Sequence, residues 1–294
     1  MIREINETNI KQFELALIED EKSASTVEKY MRDVKKFCKF ASDSDITKEL
    51  VVRYKAYLME NYAPSSVNSM LAAVNLFFKA QGWHDCTVKS IRIQRQGFRT
   101  SERELTKKEY YKLLNAAEKK KNRRLYMLMQ TICSTGIRVS ELQFITVEAV
   151  RAGRAIVFLK GKCRQVIIPS ALSCELSEYV KERKINSGSI FVTRSGKPVD
   201  RNNILHEMKS LCSIAGVQTS KVFPHNLRHL FACMYYTNEK DLSRLADILG
   251  HSSIDTTRIY TSVSGDEQQQ QIESLGLVVE RKKLPHDIHY AVKK

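Results

Sequence analysis

Apolar residues recur every three or four positions through most of the chain, and four such stripes fill the first ninety residues. Ile10, Phe13 and Leu17 predict a short helix over residues 9–20. Val27, Tyr30, Met31, Val34, Phe37, Cys38 and Ala41 predict a second, with Arg32, Lys35, Lys36 and Lys39 facing elsewhere. Ser25-Thr26-Val27-Glu28 ahead of it reads as a capping box: Ser25 bonds the amide three residues on and Glu28 reaches back. A third helix starts at Thr47 and carries Leu50, Val51, Tyr54 and Leu58. A fourth follows Pro64-Ser65 with Val67, Met70, Leu71, Val74, Phe77 and Phe78, and stops at Gly82. Four helices on short connections predict a small bundle with the stripes as its core.

Residues 91–104 break the pattern. Arg92, Arg95, Arg99 and Arg103 are spread through a polar run, which reads as an exposed basic linker: a plain tether, or one that follows a phosphate backbone. A second capping box, Thr106 to Glu109, opens the next region, with helices near 107–120 and 123–134. Residues 154–160 and 163–168 read as two strands around a Gly161-Lys162 turn of type II′. Helical patterns resume at about 171–184, 201–215, 225–236, 241–249 and 253–260, with Gly216 and Gly250 as stops. Glu267–Val279 carries Ile272, Leu275, Leu277 and Val279 as one amphipathic face, which would pack on its own domain or on a neighbour. The expected fold class is mainly α with a small β-sheet. The expected division is a helical domain at 1–90, a linker at 91–104, an α+β domain at 105–275 and a basic tail at 276–294.

Composition narrows the class. The chain has 294 residues with 43% hydrophobic content, so it holds a sizeable core and is not of disordered type. No apolar run is long enough to span a membrane, and the N-terminus lacks the apolar segment of a secretory signal. The seven cysteines include no C-x-x-C pair, which argues against a zinc ribbon or disulfide scaffold and fits a reducing cytoplasm. Lys and Arg number 48 against 33 acidic residues, a net charge of +15. Such a surface attracts polyanions, nucleic acid before acidic membrane.

The candidate chemistry is a set of polar residues on otherwise apolar helices. No Gly-rich phosphate loop and no H-E-x-x-H is present, and His225-x-x-x-His229 lacks a third metal ligand nearby. In Thr135-Gly136-Ile137-Arg138-Val139-Ser140-Glu141-Leu142, Arg138 and Glu141 stand three apart on one helical face. They form either a surface ion pair or a buried Arg aimed at an anion. Pro224-His225-Asn226-Leu227-Arg228 is a helix start, where free amides already favour an anion. His251 follows a helix stop, and Tyr260 comes nine residues later. Each has an ordinary explanation alone.

In the order Arg138, His225, Arg228, His251, Tyr260, within TGIRVSEL, HNLRHLFA and LGHSSIDTTRIYT, the set closely resembles the tyrosine recombinase (phage integrase) family. The resemblance covers about residues 105–265, and the helical region 9–85 resembles that family's core-binding domain. It implies a two-domain, C-shaped DNA clamp that cuts and rejoins strands through a 3′-phosphotyrosine, with no cofactor, metal or ATP. Arg138 and Arg228 would hold the scissile phosphate, His251 would donate a further bond, Glu141 would orient Arg138, His225 would assist proton transfer and Tyr260 would attack. The family's general acid is a Lys on a hairpin; Lys160 is the expected one and Lys162 the alternative. The implied partners are a double-stranded DNA site, a homo-tetramer on two duplexes and a possible directionality factor. A type IB topoisomerase and a non-catalytic DNA-binding descendant are the rival readings.

Overall fold

The protein is described by a computed structural model over residues 3–42, 44–93, 103–159, 162–193, 195–260 and 265–277. It divides into two units, split between Gln96 and Gly97.

The first unit is built from the four stripes: α1 (Glu7–Glu19), α2 (Ala24–Ala41), α3 (Lys48–Asn61) and α4 (Pro64–Ala80). Phe13, Leu17, Val34, Phe37, Tyr54, Leu58, Phe77 and Phe78 are fully buried. Their rings meet edge to face, with centroids 5.4 Å apart for both Phe13–Phe77 and Phe37–Phe78. Thr47 caps α3 and Pro64 opens α4, as expected. The cap of α2 differs: Ser23, not Ser25, accepts the amide of Thr26, and Ser25 lies inside the first turn. Two serines with equal capping chemistry lie two residues apart, so residue type alone did not choose between them. Asn68 and Asn75 on α4 each exchange a pair of hydrogen bonds with the main chain of Ile91 and Val88, at 2.7–2.9 Å. These amides act as a strand partner for the segment leaving the bundle.

The second unit packs around α6 (Arg123–Thr135), whose Leu125, Leu128 and Ile132 are buried against α5 (Lys107–Lys119) and α8 (Ser170–Glu182). The Thr106–Glu109 capping box forms as expected. After α7 (Val147–Ala152), β1 (Arg154–Leu159) pairs antiparallel with β2 (Lys162–Ile167). Leu159 pairs with Lys162, so Lys162 is a strand residue rather than the turn residue expected. Lys160 and Gly161 lie outside the described residues, as does the side chain of Lys162. The 201–215 pattern splits into α9 (Arg201–Lys209) and α10 (Cys212–Ala215). The remaining helices are α11 (Pro224–Glu239), α12 (Leu242–Leu249) and α13 (Gly265–Ser274).

The expected helix at 253–260 is instead two short 3₁₀ turns, Ile254–Thr256 and Arg258–Tyr260. The Ser253 hydroxyl accepts the Asp255 amide and the Thr256 hydroxyl donates to the Ser253 carbonyl. Side chains that bond nearby backbone in this way compete with the α-helical ladder. On α13 and just past it, Ile272, Leu275 and Leu277 are exposed rather than packed on their own unit, and Val279 lies outside the described residues. No helix among the described residues is long and apolar enough to cross a membrane.

Candidate active site

The site begins where α6 ends. Gly136 terminates the helix with φ at +64°, and a Cβ there would stand 2.5 Å from the Phe231 ring, so only glycine fits. The chain leaves in extended geometry: Arg138 has φ −75° and ψ 149°, ahead of a 3₁₀ stretch at Val139–Phe144. Arg138 and Glu141 therefore do not share a helical face. They meet as a cap, in which the Arg138 amide donates to Glu141 Oε2 at 2.8 Å and the Arg138 guanidinium donates to Oε1 at 3.0 Å. Glu141 is 2% exposed and Arg138 38%, so the carboxylate is interior and the guanidinium reaches the surface.

A second guanidinium completes this pair. Arg164 on β2 donates to Glu141 Oε2 at 2.5 Å and to the Ile248 carbonyl at 2.9 Å. One buried carboxylate is thus shared by two arginines from different elements, which offsets its desolvation. Burial lowers the pKa of Arg164, Glu141 raises it and Arg138 lowers it again.

Arg228 lies in the first two turns of α11, where Pro224 opens the helix. It is 2% exposed. Its guanidinium donates to the Gly136 carbonyl, to the Leu249 carbonyl at 2.7 Å and to His251 Nε2 at 3.1 Å. Burial, then Arg138, brings its pKa down to about 10, which leaves it cationic at neutral pH. A guanidinium has no acceptor, so Nε2 of His251 is the acceptor and the imidazole proton sits on Nδ1. That proton points to Thr257 Oγ1, 2.8 Å away, on a residue that is fully buried. Burial and the charges of Arg228, Arg138 and Arg164 push His251 down to about 4.

Tyr260 is brought beside His251 by the second 3₁₀ turn and is 3% exposed. Its ring stacks on His251, with centroids 6.3 Å apart and planes 13° apart, and meets His229 edge-on at 5.1 Å. Burial raises its phenol pKa, while the charge and hydrogen bond of Arg228 pull it back. The nucleophile candidate and the buried guanidinium are therefore neighbours.

His225 is at the mouth of a cleft lined also by Arg138, Ser140, Arg201 and Arg228. Burial first, then Arg228, Arg138 and Arg201, lowers its pKa, which keeps it neutral and able to accept a proton. The cleft walls carry three guanidiniums and no carboxylate among these residues, an arrangement suited to an anion. His229, four residues on, faces Cys233 Sγ at 3.2 Å and Glu104 at 3.8 Å rather than sharing a ligand with His225. Of the linker arginines, Arg92 and Arg103 are exposed, the Arg103 carbonyl accepts from Asn226 at 2.8 Å, and Arg95 and Arg99 lie outside the described residues.

Of the residues anticipated, Arg138, Glu141, His225, Arg228, His251 and Tyr260 come together. Sequence reasoning missed Arg164 and Thr257. Arg164 follows Lys162 in a run of basic and polar strand residues, where its burial has no signature in residue type. Thr257 lay inside a stretch read as helix, which hid the reach of its hydroxyl to His251.

Comparisons with known proteins cover both units. Residues 103–267 match the profile described as "Phage integrase family", and residues 10–84 match "Phage integrase, N-terminal SAM-like domain". Tyrosine recombinase XerA of Thermococcus kodakarensis is 29% identical over 280 residues, covering 92% of this chain and 95% of that protein. Tyrosine recombinase XerD of Halalkalibacterium halodurans is 28% identical, covering 87% and 93%. A crystal structure of XerA recombinase is similar at TM-score 0.51 and 26% identity, covering 93% of this chain and 99% of that one. A lambda integrase dimer bound to a core site matches in fold at TM-score 0.70 and 18% identity, covering 87% and 94%.

Proposed function

The chain belongs to the phage integrase family, and on that premise we propose that Tyr260 opens a DNA strand at a phosphodiester held between Arg138 and Arg228. It is a site-specific tyrosine recombinase, and DNA is its partner. The observation that carries the assignment is a set of mutual contacts: Arg228 is buried, bonded to His251 and to the Tyr260 hydroxyl, and the Tyr260 ring stacks on His251.

In the cutting step the phenol oxygen bonds to phosphorus and the P–O5′ bond breaks. The phenol proton passes to neutral His225, and the leaving 5′-oxygen takes a proton from Lys160. The products are a 3′-phosphotyrosine and a 5′-hydroxyl. Rejoining runs the same transfers in reverse, so the ester bond energy is kept in the covalent link. Charge building on the phosphoryl oxygens is met by Arg138 and Arg228, each preorganised donor contributing about 3–4 kcal/mol to barrier lowering. When the phosphate arrives, Arg228 turns from His251 Nε2 to the anion. His251 can then donate from Nε2, once it takes up a proton or moves its proton from Nδ1.

The assignment of domains follows the same reading. Residues 1–90 form the core-binding domain, 91–104 a linker whose Arg92, Arg95, Arg99 and Arg103 follow the phosphate backbone, 105–275 the catalytic domain and 276–294 a basic tail. Exchange takes place in a ring of four copies on two duplexes. The exposed Ile272, Leu275 and Leu277 support docking of the C-terminal region on a neighbouring copy. A directionality factor would bias the outcome between two product arrangements.

The test is a plasmid carrying two copies of the target site. Recombinant product with conserved topology classes supports the reading. Relaxation of supercoils that is independent of a second site would favour a type IB topoisomerase.

A further inference from the structure

Arg164 sits two residues into β2 from Lys162 and four residues after Lys160. Its guanidinium leaves the hairpin and enters the catalytic network. One end meets Glu141, the carboxylate that also holds Arg138; the other meets the Ile248 carbonyl at the end of α12. Its side chain is 14% exposed and Glu141 is 2% exposed, so the contact is an interior one. The stem of Arg164 crosses directly over Gly250. A Cβ on Gly250 would stand 2.4 Å from Arg164 Cδ and 2.6 Å from Nε. Gly250 has φ +64° and its carbonyl accepts from Arg138 at 3.3 Å. The residue next to it is His251. Four pieces of the site therefore converge on one side chain: the hairpin, the Arg138–Glu141 cap, the end of α12 and the turn that delivers His251.

The two strands are otherwise thinly anchored to this network. Ile156, Phe158 and Ile167 on the outer face are 54%, 61% and 73% exposed. The buried face, Ala155, Val157, Val166 and Ile168, packs into the hydrophobic core and says nothing about where the hairpin tip stands relative to a phosphate. A group that must be placed to a fraction of an ångström needs supporting contacts beyond this core packing.

We infer that Arg164 is a positioning residue that fixes the general-acid hairpin to the arginine holding the phosphate. The inference rests on the proposed assignment of a hairpin lysine as proton donor to the 5′-oxygen. Arg164 touches neither substrate nor the reacting atoms; it acts through Glu141 and the strand. Lysine cannot replace it, because one ammonium on a flexible stem does not span Glu141 and Ile248 as a planar fork does.

The experiment compares the full-length wild type, Arg164→Lys and Arg164→Ala on two nicked suicide substrates. One carries the ordinary 5′-bridging oxygen. The other carries 5′-bridging sulfur, whose thiolate departs without a proton. A misplacement of about 1 Å caused by a substitution away from the chemistry can cost about 100-fold, and a loss of about 10- to 100-fold is expected with oxygen for both variants. Sulfur is expected to bring both back to near the wild-type rate, whereas Arg138→Ala stays slow on both substrates. A loss equal on oxygen and sulfur would overturn the inference. The double variant Arg164→Lys with Lys160→Ala supplies a second reading that partial unfolding does not imitate: it should cleave no more slowly than Lys160→Ala alone, and additive losses would count against the coupling. Failure of sulfur to restore Lys160→Ala itself would instead reject Lys160 as the acid, and absence of any covalent adduct in the wild type would reject the recombinase chemistry.

Discussion

Arg228 donates to Nε2 of His251 across 3.1 Å, so the two groups proposed to meet one phosphate are bonded to each other. Burial, then the charge of Arg228, keeps His251 neutral, and the contact leaves its proton on the side of Thr257.

The first consequence is a pH dependence of stability. The pKa of His251 falls from 6.5 in the unfolded chain to about 4 in the folded one, and His225 is shifted the same way. Between these values the unfolded chain binds more protons than the folded one, so stability rises with pH through that window. The contribution is complete above about pH 6.5 and is lost as pH falls toward 4. Urea midpoints at pH 7 and pH 5 should differ in that direction for the wild type, and His251→Gln should narrow the difference. An equal difference in the variant would reject the neutral-histidine assignment.

Thr257→Val keeps the volume of the side chain and removes the acceptor for Nδ1 of His251. Cleavage should slow by up to about 10-fold, the rate equivalent of one hydrogen bond of about 0.5–1.5 kcal/mol, with duplex affinity unchanged. Gel-shift titration beside single-turnover cleavage separates the two; a matching loss of binding would mean the hydroxyl serves the fold instead.

Gly136→Ala and Gly250→Ala each place a methyl group on a left-handed residue, at 2.5 Å from the Phe231 ring and 2.4 Å from Arg164 Cδ. Each should destabilise the second unit by about 1–3 kcal/mol through backbone strain alone, with the clash adding to it. Gly82→Ala has positive φ but nothing within 4 Å of the added atom, so it carries the strain term only. Chemical denaturation of the three variants should rank Gly82→Ala as the mildest.

Phe37 is fully buried between Tyr54 and Phe78 at the centre of the first unit. Phe37→Ala should cost about 3–5 kcal/mol there. The first unit should then melt earlier by calorimetry, while the Arg138–Glu141–Arg164 network of the second unit is left intact.

Much of this was legible in the sequence. The helical stripes from Phe13 to Phe78 announced the bundle because burial on one face imposes a period near 3.6. The cap at Thr106 and the stops at Gly216 and Gly250 followed from residue types with few alternatives. Arg138, His225, Arg228, His251 and Tyr260 were found because their order is specific, although none is distinctive alone. What failed was local or long-range in a way composition does not record. Ser23 and Ser25 offer the same cap. The register pairing Leu159 with Lys162 puts Lys162 in the strand, a one-residue difference that the alternation of a short hairpin does not resolve. Thr256 and Ser253 unwound a helix that the apolar pattern supported. Arg164 meets Glu141 across 23 residues, a contact visible only after both strands are placed.

The central claim is that the Tyr260 oxygen becomes bonded to phosphorus. The direct measurement incubates wild type and Tyr260→Phe with a nicked suicide duplex, resolves covalent adducts on a denaturing gel, and maps the modified peptide by mass spectrometry. The account predicts a 3′-phosphate adduct on the peptide containing Tyr260 in the wild type, and no adduct in the variant although it still binds the duplex. An adduct at wild-type yield in Tyr260→Phe, or one mapped to another residue, would contradict it.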